Sequence, residues 1–168
     1  IYNLAISLDN SKKIKFFYTD EDAPHYQVAS IREDHVKKHY PDKIIKSKDI
    51  QAISINNFLK LVAEYKIDYL SIDLEGIDYD IILKIDYEKF DIKNISVEYL
   101  HLSKLQKKNI INFLLKKGYS YYGYGYDHNN FDYLFKKKKN YWNILLSKLF
   151  LWFISNKHCK YFNYFIFK

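Results

Sequence analysis

Tyr69-Leu70-Ser71-Ile72-Asp73-Leu74-Glu75-Gly76 is a mostly apolar run that stops on two acids and a glycine. Such a run, bounded by a turn signal, reads as a buried strand of a parallel sheet that delivers its acids at the carboxyl end. Period-two alternation places Asp73 and Glu75 on one side of that strand, and Gly76 lets the chain turn tightly or approach a ligand closely. Two acids side by side at a strand end are costly unless they are paired, solvated or used. A hydrogen-bonded Asp with a helix-capping Glu is the competing, purely structural explanation.

Before this run, Phe58, Leu59, Val62 and Tyr65 recur at helical spacing behind Ser54 or Asn56 as the cap. After it, Ile81, Ile82 and Ile85 mark a helix, and Ile95-Ser96-Val97-Glu98-Tyr99 is a second buried strand that also carries an acid at its end. Leu105, Ile110, Phe113 and Leu114 mark a further helix, closed by Lys116-Lys117-Gly118. Residues 119–126 and 133–135 read as two short strands around Asp127-His128-Asn129-Asn130. At the start of the chain, strands at 2–7 and 14–18 around Asp9-Asn10-Ser11 read as a hairpin. Residues 19–49 read as a long polar loop with one helical turn. Helices alternating with strands make an α/β layered fold, with a mostly parallel sheet and a C-terminal antiparallel hairpin. In such sheets the ligand crevice lies outside the carboxyl ends of the strands.

The 168 residues suffice for one domain with an appendage, and the single cysteine, Cys159, excludes a disulfide scaffold and a Cys-rich metal centre. That cysteine usage suits a reducing, cytoplasmic compartment. Net charge is +7, yet Arg32 is the only arginine among 27 basic residues. Without guanidinium forks for phosphate and guanine, the chain does not read as a nucleic-acid binder. The basicity belongs to the end of the chain, since residues 133–168 hold eight lysines and no acid. We therefore divide the chain at 135. Residues 136–168 form a basic aromatic tail, with Trp142, Leu145, Leu146, Leu149, Phe150 and Phe153 at helical spacing. Its apolar runs fall far short of the roughly 20 residues that span a bilayer. Peripheral contact with an anionic membrane face is the expectation for such a tail, with packing on the domain as its rival.

Residues 1–135 resemble the FkbM-type S-adenosylmethionine-dependent methyltransferases. The resemblance rests on Asn3-Leu4-Ala5-Ile6-Ser7 with Phe16-Phe17-Tyr18, on Ile53-Ser54-Ile55-Asn56-Asn57-Phe58-Leu59, and above all on Asp68-Tyr69-Leu70-Ser71-Ile72-Asp73-Leu74-Glu75-Gly76. Ile95-Ser96-Val97-Glu98-Tyr99, Gly118-Tyr119 and Asn129-Asn130-Phe131 follow in order. Ser71 stands where the family commonly has lysine, and Asn56 where it commonly has aspartate. The resemblance implies a class I, Rossmann-like methyltransferase fold whose first strand, glycine-rich loop and ribose-binding acid would precede Ile1. It also implies S-adenosylmethionine as cofactor, with Asn3, Ala5 and Asp73 toward it, and a hydroxyl acceptor on a sugar of a surface glycan. The spacing of Asp68, Ser71, Asp73 and Glu75 also matches the catalytic strand of family 18 chitinases. Those barrels need about 250 residues, which this chain lacks.

Methyl transfer to a hydroxyl needs alignment and removal of one proton. Asp73, Glu75, Glu98 and His101 are the catalytic candidates, His101 because it lies just past a strand that opens on the crevice. The carboxylates also suit a divalent cation such as magnesium or calcium. His25, His35 and His39, in the polar loop, read as surface histidines. A reading from another class is a non-catalytic module of methyltransferase fold that binds a membrane or a protein partner through its tail.

Overall fold

The computed structural model describes residues 2–22, 26–63, 65–125 and 131–137. The first strands are β1 (Ala5–Ser7) and β2 (Lys13–Tyr18), followed by helix α1 (Glu33–His39), β3 (Lys46–Ser54) and helix α2 (Ile55–Ala63). β1 and β2 do not form the expected hairpin, because β3 lies between them. The first six residues of β3 run antiparallel to β2, and Ala52, Ile53 and Ser54 run parallel to β1. At about 3.3 Å per residue, a nine-residue strand is long enough to serve two short neighbours at its two ends. The long loop expected over 19–49 thus contains α1 and the start of β3. Glu33 and Asp34 open α1, and Lys37, Lys38 and His39 close it, so its charges follow the helix dipole.

Next come β4 (Lys66–Ile67), β5 (Leu70–Ile72), α3 (Asp78–Lys84), β6 (Asp91–Ile92) and β7 (Asn94–Glu98). Helix α4 (Lys104–Lys116) and strands β8 (Tyr119–Tyr124) and β9 (Asp132–Lys137) complete the series. β4 pairs with β6, and the four-stranded sheet has the order β5-β7-β9-β8. β5 and β7 are parallel, whereas β9 inserts antiparallel between β7 and β8. The sheets are therefore mixed, with parallel and antiparallel pairings in equal number among the described residues. This corrects the expectation of a mostly parallel sheet. The C-terminal hairpin folds back into the middle of the sheet, and β2 adds an antiparallel edge.

β7 is buried on both faces: Ile95, Ser96 and Val97 are at most 1% exposed, and Ile95 and Val97 share one core cluster with Ile81, Ile82, Ile110 and Leu114. Each such aliphatic side chain contributes about 1.5–3 kcal/mol on burial, which fixes the carboxyl end of β7 in place. Asn56 does not cap α2. Its Nδ2 donates to Lys84 O at 2.8 Å, and its Oδ1 accepts from Asp86 N at 2.9 Å, so it ties off the end of α3. Asn56→Ala removes both bonds and lowers stability by about 1–2 kcal/mol, measurable as a reduced Tm.

β9 runs on to Lys137, and Lys137 Nζ pairs with Asp91 at 2.9 Å, so the first two lysines of the basic run belong to the sheet. The expected tail helix lies outside the described residues. Among the described residues no helix is long and apolar enough to cross a membrane.

Candidate functional site

Regular pairing of β5 ends at Ile72, so strand alternation does not carry through Asp73 and Glu75 as expected. A tight turn does the work instead. Glu75 and Gly76 take φ of +47° and +95°, and a left-handed glutamate persists only where its surroundings hold it. Two contacts do so. Asp78, 1% exposed at the start of α3, accepts from Leu74 N at 2.7 Å and Gly76 N at 3.2 Å. Ser30 Oγ donates to Glu75 O at 2.7 Å. Gly76 is required for packing as well, since a Cβ there would stand 2.6 Å from His35 Nδ1.

This turn aims Glu75 at two histidines. Its Oε2 lies 3.1 Å from His35 Nε2 and 3.4 Å from His101 Nε2, and His101 Nε2 is 3.5 Å from Glu98 Oε1. Glu98 ends β7, opposite Asp132 of β9, whose Oδ2 accepts from Ser96 Oγ at 2.5 Å. Asp73, Asp78 and Glu98 offer oxygens within 4.8 Å of one another. The four catalytic candidates therefore converge on one place, the carboxyl ends of β5 and β7.

Crowding of acids sets the charge of the site. Burial, followed by the repulsion of Asp73, Asp78, Glu75 and Asp132, pushes Glu98 up to about 8. Its Oε2 is buried without a hydrogen-bond partner among the described residues. Burial and then the nearby Glu75 and Asp132 carboxylates raise Asp73, and burial raises Asp78. His39 and His101 shift down, first through burial and then through the neighbouring His35. A carboxyl raised by folding binds its proton more tightly in the native state. The stability it contributes is full below its unfolded value, near 4.5, and is lost as pH rises through about 8. Glu98→Gln should accordingly raise Tm by several degrees at pH 8.5 and change it little at pH 4, as thermal melts at the two pH values would read.

Ala5 and Asp73 line a cleft of about 190 Å³ with Leu4, Ile6, Ser30 and Ile31 among others, and Asn3 is outside that lining. His35 corrects the surface expectation, whereas His39 is exposed as expected. The His35 side chain is 6% exposed, and the rings of His35, His39 and His101 gather with centroids 4.7 to 5.1 Å apart. His25 lies outside the described residues. The available signal was the four-residue spacing of His35 and His39, which puts both on one helix face.

A family model described as "Methyltransferase FkbM domain" matches residues 1–121. No curated protein and no solved structure gives a significant match.

Proposed function

The chain belongs to the FkbM methyltransferase family, and on that premise we propose that it is an S-adenosylmethionine-dependent O-methyltransferase acting on a sugar hydroxyl of a surface glycan. The observation that carries this reading is the position of Asp73. It lines the cleft beside Ala5 and Ile6 and also reaches the Asp78 and Glu98 carboxylates. Asp73 thus stands where a methyl donor in the cleft would meet an acceptor over the acidic strand ends.

The residues present suit that donor in charge and hold only part of it in size. Several carboxylates that raise one another's proton affinity favour a cationic guest, and a sulfonium is one. Small-molecule sites run to about 300–1,000 Å³, more than this cleft offers. When bound, S-adenosylmethionine supplies an electrophilic methyl group. The chain's own part is to orient the acceptor hydroxyl and take its proton on Asp73, whose raised proton affinity makes it a better base than a free aspartate. Glu98, protonated at neutral pH, can donate a hydrogen bond to an acceptor oxygen. Tyr99 and Tyr133 stack on each other at 4.1 Å beside Glu98, and Tyr124, half exposed next to them, is the aromatic surface that would support a sugar acceptor.

Incubation with methyl-labelled S-adenosylmethionine and a surface-glycan extract tests the reading. Label that survives alkali and is recovered as a methyl sugar after acid hydrolysis is the expected result; label confined to alkali-labile esters or to protein would refute it.

The second reading, a module held at an anionic membrane through residues 136–168, is supported by eight lysines without an acid from 133 onward. It predicts sedimentation with anionic liposomes at low salt that fades as salt screens the charges. A chain ending at Lys137, which keeps β9 whole, should lose this binding; equal binding by both forms would exclude the tail.

A further inference from the structure

His35 and His39 stand one turn apart on α1, and His101 meets them from the turn after β7. Each can offer one ring nitrogen, and these three atoms lie within 4.8 Å of one another. His35 Nε2 and His101 Nε2 also face the same carboxylate oxygen, Glu75 Oε2, at 3.1 and 3.4 Å. Glu98 Oε1 lies 3.5 Å from His101 Nε2, and Glu75, Glu98 and His101 likewise offer ligand atoms within 4.8 Å of one another. In a tetrahedral site with bonds of about 2.0–2.1 Å, neighbouring ligand atoms are roughly 3.3–3.5 Å apart. The spacings around Glu75 Oε2 are of that size. We propose that His35, His101 and Glu75, flanked by His39 and Glu98, form a binding site for a divalent transition metal of the zinc type.

Ligand chemistry chooses the ion. Magnesium and calcium take oxygen ligands, whereas imidazole suits zinc and its neighbours, and two histidines with one carboxylate recur in both zinc and iron sites. The magnesium or calcium expectation drawn from the carboxylates concerns the all-oxygen group of Asp73, Asp78 and Glu98. Support for the ligands is already built in. Gly76 backs the His35 ring, and the Ser30 and Asp78 contacts fix the turn that carries Glu75. His39 and Glu98 give the ion a choice of fourth donor; with neither bound, that position is open to water or a hydroxyl. The site follows from its ligands and does not depend on the methyl-transfer reading.

The test uses the full chain freed of metal by a chelator, titrated calorimetrically with zinc chloride and, separately, with magnesium chloride. One zinc per chain at micromolar affinity or better is expected, together with a Tm that climbs with zinc concentration and not with magnesium. Outer-shell changes weaken metal sites by about 10- to 100-fold, so His35→Ala and His101→Ala, which remove ligands, should each weaken zinc binding by about 100-fold or more. Should those variants fail to fold, ring-nitrogen NMR of the intact protein decides, because zinc must shift His35 and His101. Zinc binding no tighter than millimolar, or zinc bound with both rings unshifted, would overturn the proposal and leave an ordinary histidine–carboxylate network.

Discussion

Asp73→Asn should lower methyl transfer by about 10²- to 10⁴-fold, the usual cost of removing a positioned general base. Asparagine keeps the shape of aspartate and cannot accept the hydroxyl proton. The same substitution takes one negative charge from beside Glu75 and Asp132 and relieves part of the repulsion on Glu98. Folding should therefore not suffer, and Tm should stay level or rise slightly. Initial rates at saturating donor, together with a thermal melt, check both halves. The acid limb of the rate-pH profile, which belongs to a carboxylate held above its ordinary 3.8, should disappear with the side chain. Full turnover in the variant, or a fall in Tm matching the loss in rate, would return Asp73 to a structural role.

Gly76→Ala is the second large effect. Its φ of +95° lies where L residues are strained, and the new Cβ would fall 2.6 Å from His35 Nδ1. His35 is buried and held to Glu75, so it cannot swing away without giving up that contact. A cost of about 1–3 kcal/mol follows from the backbone alone, with the clash in addition. At about 2–4 °C per kcal/mol for a chain of this size, Tm should fall by roughly 5 °C or more. Gly118→Ala is the matched comparison: its φ of +86° is similarly left-handed, yet nothing lies within 4 Å of its added Cβ. Equal losses at the two positions would mean that His35 does not press on the turn.

Much of this site is legible in residue types, and less in their geometry. β5, β7 and α4 follow from apolar runs and from glycine beyond a basic helix end, because burial on both faces of β7 leaves a continuous apolar signal. β3 is hidden, since Lys46, Ser47, Lys48 and Asp49 form an exposed edge with little apolar alternation. Asp73, Glu75, Glu98 and His101 were identifiable, but strand alternation was the wrong reason for two of them. Glu75 reaches the site through a left-handed turn clamped by Asp78 and Ser30, contacts that come from other elements. His35 is hidden because a histidine among Glu33, Asp34, Lys37 and Lys38 resembles surface, and the exposed His39 on the same helix is surface. The burial of His35 depends on a glycine some forty residues later.

Nitrogen-15 NMR of the full chain titrated with S-adenosylmethionine to millimolar concentration tests the central claim most directly, and it reads even the weak binding that a cleft of about 190 Å³ allows. The account predicts that the shifted amides gather at Ala5, Ile6, Ser30, Ile31, Asp73 and Leu74, and that Asp73→Asn diminishes the response. Shifts confined to other faces, or none at all, would contradict it.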